Sequence, residues 1–191
     1  RMTTSLPPVR TWAPAQFPAD STLTAYAQAL VDIVQSGRLR GGRHTDALEN
    51  EVRTFFDAHT VAVGSGMDAL ELLLEAYGAQ GRRVLVPAHC FQAIPALIAR
   101  LGGTPVPLPV DPASLAPLPD AAAEEGAVLI WIHHAGIVAD YAQPVIERLR
   151  RGGTTVIEDC AYVLPDTRVG PGSWGDSALF SLAPEPRWPD G

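Results

Sequence analysis

The sequence has 191 residues, 47% of them hydrophobic and 18% charged, the balance of a folded chain long enough to bury roughly two-thirds of its unfolded surface. Its 14 basic and 21 acidic residues give a net charge of -7, with no basic cluster beyond pairs such as Arg82-Arg83 and Arg150-Arg151, which excludes nucleic-acid binding driven by electrostatics. No run approaches the roughly 18 apolar residues needed to cross a bilayer, so no membrane contact is expected. The opening stretch "RMTTSLPPVR" has no apolar core of a signal peptide, and two cysteines, Cys90 and Cys160, make no disulfide framework. A reducing cytoplasm is the expected compartment. All 14 basic residues are arginine, so the only primary amine in these residues is the one at the chain's N-terminus.

In chain order, residues 1–21 are proline-rich and read as an extended arm. Residues 22–57 read as two helices split by the glycine-rich loop "SGRLRGGR", which carries Arg38, Arg40 and Arg43. From residue 60 onward, short apolar runs alternate with stretches of helical period. The runs are "TVAVGS" (60–65), "RVLVPA" (83–88), "TPVPLPV" (104–110), "AVLIWIHH" (127–134), "TTVIEDC" (154–160) and "DSALFSL" (176–182). Several are apolar throughout rather than alternating, as strands covered on both faces are. Between them, "GMDALELLLEAYGA", "CFQAIPALIARLGG" and "DYAQPVIERLRRGG" carry apolar residues three and four apart and end near glycine, as helices do. The prolines of 105–120 predict a strand end and a loop. Strands alternating with helices of this length predict an α/β fold of three layers, αβα, with a mostly parallel central sheet.

In such a sheet, ligands sit outside the carboxyl ends of the strands. Ser65, Gly66 and Met67 open a helix directly after one predicted strand, where free amides hold an anionic phosphate or simply make a tight turn. Asp159 ends an apolar strand, where its carboxylate needs a cationic or hydrogen-bonding partner; a protonated heterocyclic nitrogen and a helix N-terminus both serve. Phe91 is placed to stack on a flat ring or to fill core. His133 and His134 are adjacent on a strand and face opposite ways, which is poor geometry for a shared metal.

The ordered blocks "SGMDALELLLEAYG", "RVLVPAHCFQAI", "LGGTPVPLPVDPASL", "IHHAGIVADY", "VIEDCAY" and "GPGSWGDSALFS" together resemble the DegT/DnrJ/StrS family of sugar aminotransferases, from about residue 30 to the last. The resemblance implies the large domain of the aspartate aminotransferase fold and pyridoxal phosphate as cofactor. It implies that Gly66 gives an amide to the cofactor phosphate beside Ser65, that Phe91 stacks on the pyridine ring, that Asp159 pairs with the ring nitrogen, and that Ser181 reaches the phosphate. Met67 stands where the family usually has threonine, and Tyr162 where it often has glutamine or histidine, still able to donate to the phenolic oxygen. Family members place the Schiff-base lysine five residues after that serine or, in one branch, three. In "SLAPEPRWPDG" Pro186 and Pro184 occupy those positions.

The expected domains are an arm over 1–21 and a large domain over 22–191, without the family's small C-terminal domain. The expected function is that of a non-transaminating relative, a pseudoenzyme or partner subunit in a sugar or secondary-metabolite pathway. Two alternatives stay open: an enzyme that binds pyridoxal phosphate non-covalently and performs dehydration or other chemistry without a lysine, and a fragment of a longer protein. A homodimer, or a heterodimer with a longer homologous subunit, is the expected assembly, with a nucleotide-sugar or amino substrate as ligand.

Overall fold

The computed structural model describes residues 20–118, 120, 124–163 and 169–182. The predicted arm therefore falls, apart from its last two residues, outside the described residues, as do Pro184 and Pro186. Two compact units are distinguished, Arg1–His44 with Ala183–Gly191, and Thr45–Leu182. The first holds helix α1 (Asp20–Ser36) and the loop after it; α2 (Arg43–Phe56) begins at its edge. Arg43 pairs with Asp32 within this unit, and α1 presents Tyr26, Leu30 and Val34, four residues apart, to solvent.

The second unit contains a five-stranded sheet in the order β2-β1-β3-β4-β5, with every pairing parallel. Its strands are β1 (Arg83–Pro87), β2 (Thr104–Leu108), β3 (Val128–Ile132), β4 (Thr155–Cys160) and β5 (Ser177–Phe180), and its helices include α3 (Gly66–Ala76), α4 (Ala93–Arg100) and α5 (Ala142–Arg151). Parallel neighbours need crossover connections, and α4 carries the chain from β1 to β2 and α5 from β3 to β4, while α3 precedes the first strand. Pro105 and Pro107 sit in β2, an edge strand, where a missing N–H costs no central ladder bond.

Side-chain alternation explains why β3 is apolar throughout. Val128, Ile130 and Ile132 enter one core with residues of α3 and α4, whereas Leu129 and Trp131 enter a second core with α5. In β4, Ile157 belongs to the first core and Val156 to the second, so Asp159 follows Ile157 to the α3/α4 side while Glu158 follows Val156 to the α5 side. Leu179 of β5 lies on the α3/α4 side as well.

One expectation fails. Residues 60–65 form no strand: they join no ladder among the described residues, and Val61 is 74% exposed. The β-branched composition is that of a strand, but a strand exists only where a neighbour satisfies its backbone groups, and composition does not supply one.

Candidate functional site

The carboxyl ends of β1, β3, β4 and β5 and the N-terminus of α3 bring most of the predicted residues to one end of the sheet. Ser65 is the N-cap of α3: its backbone is extended, and its hydroxyl accepts from the Asp68 N–H at 3.1 Å. The amides of Gly66 and Met67 precede the first intrahelical bond and remain available to an acceptor. The Met67 side chain does not line an opening; it packs against the first core. Ser181 directly follows β5 and, two residues beyond Leu179, shares its side of the sheet.

Asp159 is 9% exposed. Its carboxylate accepts from the Ala161 N–H at 3.0 Å, a local turn two residues on rather than a helix cap, and forms no ion pair among the described residues. Burial pushes its carboxyl above the ordinary range, partly offset by the Ala161 amide and by nearby His133. With one hydrogen bond among the described residues, this buried acid keeps acceptor capacity for a cationic or donor partner. Phe91 and Tyr162, at the ends of β1 and β4, are 59% and 56% exposed, so each offers a ring face to a ligand rather than to the core.

The sequence reading passed over a cluster beside them. His89 and His134 meet edge to face with ring centroids 4.7 Å apart, and Tyr162 lies 6.4 Å from His134. His134 opens a short 3-10 turn, His134–Gly136, in which Ala135 is left-handed at φ 52, ψ 24, a strained conformation for a residue with a Cβ. Gly136 fits because a Cβ there would stand 3.3 Å from the Tyr162 carbonyl oxygen. Burial, and then His89, lower the His134 pKa, which keeps the imidazole neutral.

The neighbours of these two residues do something different. His133 Nε2 donates to Glu158 Oε2 at 3.0 Å, both side chains fully buried on the α5 side. Glu158 also accepts from the amides of Gly172 (2.9 Å), Trp174 (2.7 Å) and Gly175 (2.6 Å). With four donors the carboxylate is saturated, so although His133, Glu158 and Cys160 lie close enough to share a metal, Glu158 has no lone pair left to ligate one. Burial pushes the Cys90 thiol up, and burial with the two carboxylates pushes Cys160 up much further, so neither is a ready nucleophile.

Among the described residues no helix is long and apolar enough to cross a membrane. A family model, the DegT/DnrJ/EryC1/StrS aminotransferase family, matches residues 22–185. The erythromycin biosynthesis sensory transduction protein EryC1 of Saccharopolyspora erythraea is 36% identical over 82% of this chain and 45% of its own length. The dTDP-3-amino-3,4,6-trideoxy-alpha-D-glucose transaminase of Streptomyces venezuelae is 33% identical over 82% of this chain and 43% of its own length. The PLP form of Spr1654 from Streptococcus pneumoniae superposes with a TM-score of 0.73 at 26% identity, over 90% of this chain and 48% of that one. The chain thus spans a little under half the length of the relatives it matches. A parallel sheet flanked by helices, a capped helix start and a buried aspartate at the end of β4 agree with that match: the chain belongs to the DegT/DnrJ/EryC1/StrS aminotransferase family.

Proposed function

We propose that this chain is a non-transaminating member of the family, whose pocket at the carboxyl ends of the strands holds pyridoxal phosphate without a covalent bond. The observation that carries this reading is Asp159, buried and, among the described residues, partnered by a single backbone amide, in 191 residues that include no lysine. The residues fit such a group. The carboxylate suits a protonated ring nitrogen, the Gly66 and Met67 amides with Ser65 and Ser181 suit a phosphate, Phe91 offers a stacking face, and the Tyr162 hydroxyl suits a phenolate oxygen. Proline at both candidate lysine positions, and no lysine elsewhere in these 191 residues, leave no side-chain amine among them to attach the cofactor.

Pyridoxal phosphate, when bound, supplies an electron sink that acidifies a proton on the carbon bearing an attached amine. A lysine would both tether it and move that proton. Without one, the pocket serves as a binding site, or it acts with another base; the neutral His134 beside Tyr162 favours this second reading. In this reading residues 1–21 form an arm, the rest of the chain supplies the family's large domain, and a nucleotide-sugar or amino substrate is the ligand class. The exposed stripe of Tyr26, Leu30 and Val34 on α1 supports pairing with a second subunit.

The test is a fluorescence titration of the purified chain with pyridoxal phosphate, followed by borohydride reduction and intact mass. Saturable binding with an unchanged mass is expected. A side-chain adduct after reduction, or no binding, contradicts the reading.

A further inference from the structure

We propose that His134 is the proton carrier of this pocket, held for that task between His89 and Tyr162 by the left-handed turn at Ala135. The inference rests on the reading that the pocket holds pyridoxal phosphate. Three features point to His134. It stands just beyond the end of β3, against His89 from beyond β1 and Tyr162 from beyond β4, at the carboxyl ends of the strands where Asp159 also lies. It is half-buried, close enough to solvent to exchange protons and close enough to the core to be fixed. Its turn carries a left-handed alanine, a conformation of the kind that clusters where a side chain must be aimed.

The other bases at this end of the sheet are worse suited. His133 is turned to the α5 side with Nε2 committed to Glu158. The thiols of Cys90 and Cys160 are held protonated. His89 is exposed and touches His134 edge on, where a positive charge on one ring discourages charge on the other. Among the described residues, the titratable groups packed against His134 are His89 from beyond the end of β1 and Tyr162 from beyond the end of β4. Burial first, and His89 second, favour the unprotonated imidazole, and the Tyr162 ring stands 6.4 Å away. The neutral ring accepts the proton released from the amine-bearing carbon of a bound substrate at an imidazole nitrogen and later returns it. The electron pair stays with the substrate and its cofactor, so no oxidant or leaving group is required.

The test has two arms. In the first, the five histidines are titrated by NMR, with His134→Gln and His89→Gln used for assignment. His134 is expected to titrate below an ordinary imidazole, and to move up in His89→Gln. In the second, an amino acid and pyridoxal phosphate are added in deuterated water and exchange at the α-carbon is followed. His134→Gln should slow the protein-dependent exchange on the order of 10²-fold, while cofactor affinity by fluorescence changes less than about threefold, and His59→Gln should change neither. His134 titrating at or above an ordinary imidazole, or exchange unchanged in His134→Gln with cofactor bound, overturns the inference. A wild-type chain that binds no cofactor removes the binding reading and this inference together, an outcome distinct from binding with unaffected exchange.

Discussion

At the carboxyl ends of β3 and β4, two adjacent pairs, His133-His134 and Glu158-Asp159, divide: Glu158 and Asp159 face opposite sides of the sheet, and His133 joins Glu158 while His134 meets His89 and Tyr162. On the α5 side, His133 and Glu158 are fully buried, and Glu158 is saturated by one imidazole and three backbone amides that pin the segment 172–175. On the α3/α4 side, Asp159 has one amide among the described residues, and His134, just beyond β3, meets the exposed rings of His89 and Tyr162. The same residue types thus serve structure on one side and leave capacity for a ligand on the other. What separates them is hydrogen-bond completeness rather than chemistry: a satisfied buried carboxylate stabilises, and an unsatisfied one waits for a partner.

Substitutions on the two sides should separate accordingly. Glu158→Ala leaves an imidazole and three amides without an acceptor and should cost about 3–5 kcal/mol in urea unfolding. A loss below about 1 kcal/mol would mean that the segment is held elsewhere. Gly172→Ala comes next. Its φ of +89 and a Cβ placed 2.4 Å from Phe180 Cζ both oppose a side chain, and a loss of about 1–3 kcal/mol is expected by the same measurement.

Asp159→Asn should act in the opposite direction on stability. Because burial raises the folded carboxyl pKa, the native state holds its proton to higher pH than the unfolded chain does. Ionisation therefore destabilises the fold as pH rises from the ordinary aspartate range through the raised value. The variant should melt higher than wild type at neutral pH, and the gain should vanish once the pH falls below that window; thermal scans across pH read both. Tyr162→Phe is the smallest change. The side chain is more than half exposed, so stability should hold while cofactor affinity falls about threefold in a fluorescence titration.

Much of this was legible in the sequence, for identifiable reasons. The apolar runs of β1 and β3 announced strands covered on both faces, whereas the prolines read as a strand end and loop lie partly in β2, an edge strand. Alternation along a strand predicts opposite sides for His133 and His134, but β3 ends at Ile132 and His134 opens a 3-10 turn. Residues 60–65 misled because strand composition is local while a ladder partner is not. The Glu158 node was missed for the same reason: its amide donors lie 14 to 17 residues away and His133 lies 25 away, although a glutamate inside an apolar strand was a signal that donors had to exist. The meeting of His89, His134 and Tyr162 follows from the order β1-β3-β4, which no one segment encodes.

The central claim, that the open side holds its cofactor through Asp159 and not through a covalent bond, is tested most directly by calorimetric titration of wild type and Asp159→Asn with pyridoxal phosphate. Saturable binding to wild type, weakened about tenfold or more in the variant as expected for loss of a charged hydrogen bond, is the predicted result. Equal affinity in the two proteins would contradict the account.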